Sequence, residues 1–308
     1  MSSTTQIVDR RFNPTVAWRC ISDLLKLRVN AMVALTAACG AYFGALHGSA
    51  GFFSFITFKA ICGISLAAAG TAALNQVMER DTDALMKRTC MRPLITGTLS
   101  RRQAVIFAVS LLAGGLLLLA AGVDFTTSGL TILTAVIYLL AYTPLKMITP
   151  ICTSVGAVAG AMPPLIGYRA LAGRLDVEAV LLFAILFAWQ FPHFHSIALL
   201  YRDDYATARV QMLAVVDVSG HRIARSATLW SVVLMVVSTG PFVLGYAGPI
   251  YLGYALGLGT WLIKNAQRLR PSVVASEGGS RIAARQLLRA TLFYLPALLI
   301  GLVLASKR

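Results

Sequence analysis

Residues 52–92 read FFSFITFKAICGISLAAAGTAALNQVMERDTDALMKRTCMR. The first part, residues 52–74, is apolar apart from Lys59 and a few hydroxyl groups, and the part that follows is crowded with acids and bases. An apolar run of about 20 residues can cross a hydrocarbon core of about 30 Å as a helix, which satisfies all of its own backbone hydrogen bonds. The stretch therefore predicts a transmembrane helix that carries a polar segment to one membrane surface.

Apolar runs of this kind recur along the whole chain. The 308 residues are 57% hydrophobic and 13% charged, whereas a soluble domain carries roughly 25% charged residues. That composition argues against a water-soluble core. We predict an all-α membrane protein, a single transmembrane domain over residues 1–308, whose nine transmembrane helices cover residues 30–47, 52–74, 103–122, 127–145, 152–168, 179–200, 226–245, 247–263 and 288–305.

Lys and Arg residues are concentrated on one side of the predicted spans. That side receives 22 of the 27, and the five on the other side are Lys59, Arg169, Arg174, Lys307 and Arg308. Because cytoplasmic loops are enriched in Lys and Arg, we predict a cytoplasmic N-terminus, with residues 1–29 as a cytoplasmic lead-in, and a C-terminus outside.

The net charge of +15 raises the question of nucleic-acid binding. Basic residues in a membrane protein mainly report its orientation, and the sequence lacks the interleaved basic and aromatic residues of a nucleic-acid platform. We therefore expect no nucleic-acid partner. The short stretch before the first span favours the bacterial inner (plasma) membrane over the mitochondrial inner membrane for this multi-pass protein.

The first acidic segment, residues 75–94, follows the second predicted span. Asn75, Glu79 and Asp83 are spaced i, i+4 and i+8, so on a continuous helix they lie on one face. Two carboxylates and an amide oxygen form a hard oxygen-ligand set of the kind that binds Mg²⁺ together with water and phosphate oxygens. Arg88 and Arg92 stand just beyond, where a metal-bridged diphosphate would lie, and the Arg fork fits phosphate.

The second acidic segment, residues 189–205, covers the end of the sixth predicted span and the residues that follow it. On a continuous helix His193 and Asp204 share a face, Tyr201 lies between them, and His195 points away. An ionisable residue inside a span is a functional candidate, although such a histidine also serves as a hydrogen-bonded link between helices. Two acidic helix ends in corresponding places predict a two-sided metal clamp around one diphosphate, which makes diphosphate a good leaving group.

Four stretches make the sequence similar to the intramembrane UbiA-type prenyltransferase superfamily. They are the first acidic segment; residues 142–146, YTPLK; residues 156–167, GAVAGAMPPLIG; and residues 189–194, WQFPHF, with residues 202–205, RDDY. Glu79, where the superfamily commonly has aspartate, and the WQFPHF stretch resemble its haem-modifying branch. The glycine-rich stretch at residues 156–167 either lets helices approach closely or leaves room for a flat macrocycle.

The resemblance implies a nine-helix bundle with a central cavity and a Mg²⁺-dependent reaction. In that reaction farnesyl passes from farnesyl diphosphate to a vinyl group of haem b, and water completes the hydroxyethylfarnesyl group of haem O. An apolar cavity in the lipid bilayer would protect the allylic cation from water. Because haem O is a precursor for terminal oxidases, haem A synthase or the terminal oxidase assembly machinery are the protein partners that the resemblance suggests.

The resemblance also assigns roles to residues of this chain. The expected catalytic carboxylates are Glu79, Asp83 and Asp204, and the expected Mg²⁺ ligands are these three with Asn75. The diphosphate is expected to contact Arg28, Arg88, Arg92, Lys146 and Arg202. The haem acceptor is expected to contact His193 and Tyr201.

Two other functions fit parts of the pattern. The same clamp would serve a prenyltransferase that acts on another aromatic acceptor, such as a quinone precursor, and haem co-purification would distinguish the two. A secondary transporter is a candidate from a different class, but transporters place their coupling charges near the bilayer midplane. Here the acids follow the spans, which disfavours transport.

Overall fold

The computed structural model describes residues 20–274 and 277–306, and almost all of this part is helical. Residues 1–19 of the predicted lead-in, with Lys307 and Arg308, lie outside the described residues. Within the described ranges the long helices are α1 (Leu27–His47), α2 (Phe55–Met78), α3 (Arg101–Gly122), α4 (Phe125–Leu145), α5 (Cys152–Ala172), α6 (Val177–Leu200), α7 (His221–Ser238), α8 (Pro249–Ala266) and α9 (Glu277–Ala305). Short helices are Arg80–Ala84, Arg202–Thr207, Leu213–Val216, Gly240–Val243 and Pro271–Val274.

Each of the nine predicted apolar runs coincides with one long helix, which confirms the all-α membrane fold. Seven of the helices in the described ranges are long and apolar enough to cross a membrane, and α5 and α8 are not among them. Glycines, prolines and polar residues dilute these two. Helix α5 packs against α1, α2, α4 and α6 and buries most of its residues there, so it needs fewer lipid-facing apolar side chains. The number of spans and the orientation of the termini stay predictions.

Small residues let the helices approach closely. A Cβ atom added at Gly70 of α2 would lie 2.5 Å from the backbone nitrogen of Leu112 in α3, and one added at Gly40 of α1 would lie 1.9 Å from the carbonyl oxygen of Pro164 in α5. In the glycine-rich stretch, Gly167 similarly abuts the backbone of Ala37. Because lipid tails are as apolar as leucine, close van der Waals packing of this kind is what associates helices in a bilayer.

The acids at the helix ends remote from Glu79 and Asp204 have structural partners. Asp124 accepts a hydrogen bond from the backbone N–H of Thr127 (2.9 Å) and begins α4. Asp176 accepts from the backbone N–H of Glu178 (3.1 Å) and begins α6. The buried Glu178 carboxylate lies 2.8 Å from Nε2 of His47 at the end of α1. These carboxylates cap and connect helices.

We expect Gly115→Ala to lower the thermal unfolding midpoint of the purified protein. Its Cβ would lie 2.6 Å from the backbone nitrogen of Ala67 and 2.6 Å from the carbonyl oxygen of Gly63, and over-packing of this kind costs about 1–3 kcal/mol. The adjacent Gly114→Ala is the matched control, since nothing lies within 4 Å of its Cβ and alanine favours a helix. Equal midpoints for the two variants would refute the close approach of α2 and α3.

Candidate active site

The first acidic segment is a helix with a break. Helix α2 ends at Met78, Glu79 has non-helical backbone angles (φ −88°, ψ 3°), and a short helix resumes at Arg80, so the prediction of one continuous helix is wrong. The backbone N–H of Glu79 still donates to the carbonyl of Asn75 (2.9 Å), and that of Asp83 donates to the carbonyl of Glu79 (2.7 Å). The one-turn spacing of the three side chains therefore survives, and all three are buried.

Each polar group of this segment has a partner from another part of the chain. Nζ of Lys146, just after α4, lies 2.5 Å from Oε1 of Glu79, and both side chains are almost fully buried. The Arg92 guanidinium pairs with the Asp83 carboxylate. These two ion pairs are what make buried carboxylates tolerable.

A hydroxyl group ties α4 to α2 beside the ion pair. The Thr143 hydroxyl donates to Oδ1 of Asn75 at 2.7 Å, and both residues are buried. Because Thr143 lies in the last turn of α4 and Lys146 follows it directly, two polar contacts fix this end of the helix against α2.

Lys26 is a site residue that the sequence did not single out. It stands at the start of α1 with a left-handed backbone (φ 46°). Burial lowers the pKa of its ammonium group to about 8, and the carboxylates of Glu79 and Asp83 oppose that shift. Lys26, Arg92 and Lys146 thus bring three cations to two carboxylates, so the described site has a surplus of positive charge suited to an anion.

Two predicted diphosphate ligands lie at the margin of this cluster. Arg28 is exposed, and Lys26, two residues earlier, is the residue in electrostatic contact with the acids. Arg202 is half-buried at the start of the short helix Arg202–Thr207.

The second acidic segment contacts the first directly. The Asp204 carboxylate accepts hydrogen bonds from the backbone N–H groups of Lys87 and Arg88, both at 3.3 Å. The Arg88 guanidinium lies over the Tyr201 ring, 4.8 Å from its centroid, a cation–π contact. The two segments therefore meet on one surface, which we call the motif face and define by Glu79, Asp83 and Asp204.

Other acids near this surface have different partners. Asp203 is exposed and pairs with Arg281 of α9 at 3.1 Å. Burial raises the pKa of Asp217, but hydrogen bonds from the Ile223 amide and the Ser219 hydroxyl outweigh it, so its pKa lies below the usual value. Asp217 therefore anchors the start of α7.

The two histidines of the second segment face different helices. Nδ1 of His193 lies 3.0 Å from the Thr291 hydroxyl of α9, and its ring stacks on Trp189 with centroids 4.5 Å apart. Nε2 of His195 lies 2.8 Å from the Ser226 hydroxyl of α7. Helix α6 continues through Pro192 but ends at Leu200, so the prediction of one helical face from His193 to Asp204 is wrong.

Three tyrosines near Glu79 were missed by the sequence reasoning. Tyr138 and Tyr142 belong to a π-helical segment of α4 (Ile137–Tyr142), and Tyr205 follows Asp204. All three lie within electrostatic range of Glu79. Tyr142 in the YTPLK stretch and Tyr205 in the RDDY stretch belong to the quoted motifs, but Tyr138 had no such signal.

The donor set of the motif face fits Mg²⁺ that is shared with a substrate. Asn75, Glu79, Asp83 and Asp204 supply hard oxygen atoms. Among the described residues, no three His, Cys, Asp or Glu side chains form a group that could hold a metal alone. Magnesium commonly binds through one or two carboxylates plus phosphate oxygens and water, so these side chains could hold it only together with oxygen atoms from another molecule.

Comparison with known proteins gives consistent matches. Residues 33–277 match the model of the UbiA prenyltransferase family. The chain is 45% identical over 300 residues to the Protoheme IX farnesyltransferase of Koribacter versatilis (strain Ellin345), which covers 97% of each chain. It is 41% identical to the Protoheme IX farnesyltransferase of Solibacter usitatus (strain Ellin6076) over 92% of this chain and 97% of that one.

A solved structure shares the fold. The structure of a UbiA homolog from Archaeoglobus fulgidus bound to GPP and Mg²⁺ matches with a TM-score of 0.64 and 15% identity, and covers 90% of this chain and 99% of that chain. At such low identity the match supports the helical architecture alone.

We expect Lys146→Met to lower the unfolding midpoint strongly, because it leaves the Glu79 carboxylate buried without its partner. Removing one partner of a buried pair costs about 3–5 kcal/mol. The double variant Glu79→Gln with Lys146→Met should regain most of that stability, since neither charge remains. Lys87→Met, at an exposed position, is the control. A double variant as unstable as the sum of its single variants would contradict the pair.

Proposed function

This chain belongs to the UbiA prenyltransferase family, and we propose that it transfers the farnesyl group of farnesyl diphosphate to a vinyl group of haem b, giving haem O and diphosphate. The observation that carries the proposal is the 45% identity, across 97% of both chains, with a relative named Protoheme IX farnesyltransferase. The enzyme is a membrane prenyltransferase. Its motif face has the carboxylates and cations that a metal–diphosphate complex requires.

The diphosphate is proposed to bind among the cations of the motif face. Lys146 and Arg92 now neutralise Glu79 and Asp83, and Lys26 adds a third positive charge. Asn75, Glu79, Asp83 and Asp204 would hold Mg²⁺, which when bound neutralises charge on the leaving diphosphate. When Glu79 and Asp83 hold Mg²⁺, the side chains of Lys146 and Arg92 would become available to the phosphate oxygens. The Arg92 guanidinium can then contact phosphate through two hydrogen bonds.

Arg88 is proposed as a further phosphate ligand, oriented by its neighbours. Its backbone N–H is held by Asp204 and its guanidinium rests on Tyr201. This contact supports a role for Tyr201 at the diphosphate end of the site, beside Arg88, in place of the haem contact that its sequence position suggested. Asp204 would then act both on the metal and on the position of Arg88.

The haem acceptor is proposed to lie against α6. Nδ1 of His193 is engaged by Thr291, so Nε2 is the ring nitrogen left for the haem iron or a ligand of it. The Trp189 indole, which stacks on His193 and donates to the Thr291 carbonyl at 2.8 Å, holds the imidazole in one orientation. A fixed neutral imidazole is a suitable axial ligand or contact for haem.

The multi-pass chain is proposed to lie in the bacterial plasma membrane, with the motif face at the cytoplasm. This orientation follows from the Lys and Arg distribution of the sequence. The product haem O still carries the methyl group that later oxidation would modify, so an oxidising enzyme such as haem A synthase, or oxidase assembly factors, would take it up.

One assay tests the proposed reaction. Purified protein is incubated with haem b, farnesyl diphosphate and Mg²⁺, and haem O is sought by mass spectrometry. Haem O formation that stops on chelation of Mg²⁺ is the expected result. Farnesylation of an added quinone precursor with no haem product would show instead a prenyltransferase for another aromatic acceptor.

We expect Asp83→Ala and Asp204→Ala each to reduce turnover by about 10²-fold or more, the usual effect of losing a preorganised electrostatic group. Asp203→Ala is the matched control, because this neighbour of Asp204 is exposed and pairs with Arg281. Haem O formation at limiting Mg²⁺ is measured for all three. Wild-type turnover by Asp83→Ala or Asp204→Ala would remove the metal clamp from the proposal.

We expect His193→Ala to weaken haem binding and to spare diphosphate binding. His195→Ala is the control, since its imidazole is also buried and hydrogen-bonded but faces Ser226 of α7. A haem titration by absorbance is combined with the unfolding midpoint of each variant. Loss of haem binding in His195→Ala alone would show that His195, and not His193, contacts haem. Normal haem binding in both variants would show that neither histidine contacts haem.

A further inference from the structure

We propose that Tyr138, Tyr142 and Tyr205 form an aromatic cage that stabilises the allylic cation released when the diphosphate leaves. The inference rests on the proposed function and adds to it a set of residues that contact the reacting carbons. It is carried by the position of these rings relative to the Glu79–Lys146 ion pair, by the π-helical segment that holds two of them, and by their partial accessibility.

The rings lie on the membrane side of the carboxylates. Lys146 marks the level of the diphosphate site because its ammonium contacts Glu79 at 2.5 Å. Tyr142 and Tyr138 precede it by four and eight residues in α4, so both lie deeper along the helix than Lys146. An isoprenoid whose diphosphate is held at Glu79 and whose tail extends into the bilayer core has its first carbons at this depth.

The two rings of α4 are held as a pair. They stack with centroids 5.1 Å apart and 30° between their planes. The π-helical segment Ile137–Tyr142 sets their orientation, and the Thr143 hydroxyl lies within hydrogen-bond distance of both the carbonyl oxygen of Tyr138 (2.9 Å) and Oδ1 of Asn75 (2.7 Å) at its end. A side chain at Gly156 would displace one ring, since its Cβ would lie 2.8 Å from Cδ2 of Tyr142.

The third ring approaches from the second acidic segment. Tyr205 packs against the buried cluster of Met86, Ala208 and Val210, and the backbone N–H of Gln211 in the same segment donates to the carbonyl of Lys146 (2.8 Å). The cage therefore takes residues from both halves of the bundle. Contact between the two acidic segments brings it together.

The three rings are partly accessible. Tyr138, Tyr142 and Tyr205 are half-buried, so each keeps part of its surface free for contact with another molecule.

Aromatic faces suit the charge that develops there. The C–O bond of the allylic diphosphate breaks, both electrons leave with the diphosphate, and the positive charge is shared by two carbons of the allyl group. The π-electrons of the haem vinyl group then form the new C–C bond, and the resulting cation takes up water and loses a proton. A carboxylate beside the first cation would trap it as an ester, whereas an aromatic face stabilises it without forming a bond.

The kinetic test compares leucine with phenylalanine at the two stacked positions. Tyr142→Leu and Tyr138→Leu should each lower kcat for haem O formation by about tenfold, the equivalent of a cation–π contact of about 1.4 kcal/mol, with KM for farnesyl diphosphate changed less than about twofold. Tyr142→Phe should keep most of kcat, because the ring remains. Tyr254→Leu, on α8, is the control. Equal kcat for Leu and Phe variants would overturn the cage.

A binding test separates a cage from a merely structural role. An ammonium analogue of the farnesyl cation is titrated together with inorganic diphosphate and Mg²⁺, and a neutral analogue with carbon in place of nitrogen is titrated in parallel. Tyr142→Leu should weaken the ammonium analogue about tenfold and the neutral one less than about twofold. Equal losses for both, or a fall in the unfolding midpoint shared by Tyr142→Phe, would show a packing role and reject the proposal.

The two proposals fail differently. If the wild-type protein makes no haem O but still binds the ammonium analogue more tightly than the Tyr142→Leu variant does, the cage stands and the acceptor is wrong. If the wild-type protein makes haem O and the leucine variants keep its kcat, the reaction stands and the cage is wrong.

Discussion

Lys146 and Glu79 meet at the motif-face ends of α4 and α2, and the geometry of the site depends on this contact. Neither charge has a low-energy place in the interior of a membrane protein unless it is paired, so the two helix ends are held together by the cost of separating them. The Thr143–Asn75 hydrogen bond and the stacked tyrosines follow from the same alignment of α4. The Asp83–Arg92 pair extends the constraint to the loop whose backbone Asp204 holds.

The remainder of the bundle supplies a rigid frame for these charges. Helices α1 and α5, and helices α2 and α3, approach backbone to backbone at glycines, where larger side chains would force them apart. At the opposite helix ends, Asp124 and Asp176 cap helices, and Glu178 joins α6 to α1 through His47. The polar groups at those ends cap and connect helices, whereas the motif face carries more charged side chains than its helix contacts require.

The helical architecture could be predicted from the sequence, because a helix that crosses the bilayer needs an apolar run of a minimum length. All nine predicted runs are helices. The i, i+4 pattern of Asn75, Glu79 and Asp83 could be predicted as well, since hydrogen bonds continue through the break at Glu79. The break in the helix at Tyr201 and the position of Lys26 near Glu79 and Asp83 could not be predicted from the sequence, because both depend on tertiary contacts. Local spacing places residues on one helix, but the pairing of Lys146 with Glu79 joins residues 67 positions apart.

The π-helical segment Ile137–Tyr142 determines where α4 can change its length. A π turn is an α turn with one additional residue, so deleting one residue there restores a regular α turn while the residues before and after it keep their faces. An insertion or deletion in the regular part of α4 is not absorbed in this way, and it rotates everything that follows by roughly 100°. Such a rotation would separate the Lys146 ammonium from Glu79. Among descendants of this gene, length changes in α4 are therefore expected within Ile137–Tyr142 and not in the turns around it.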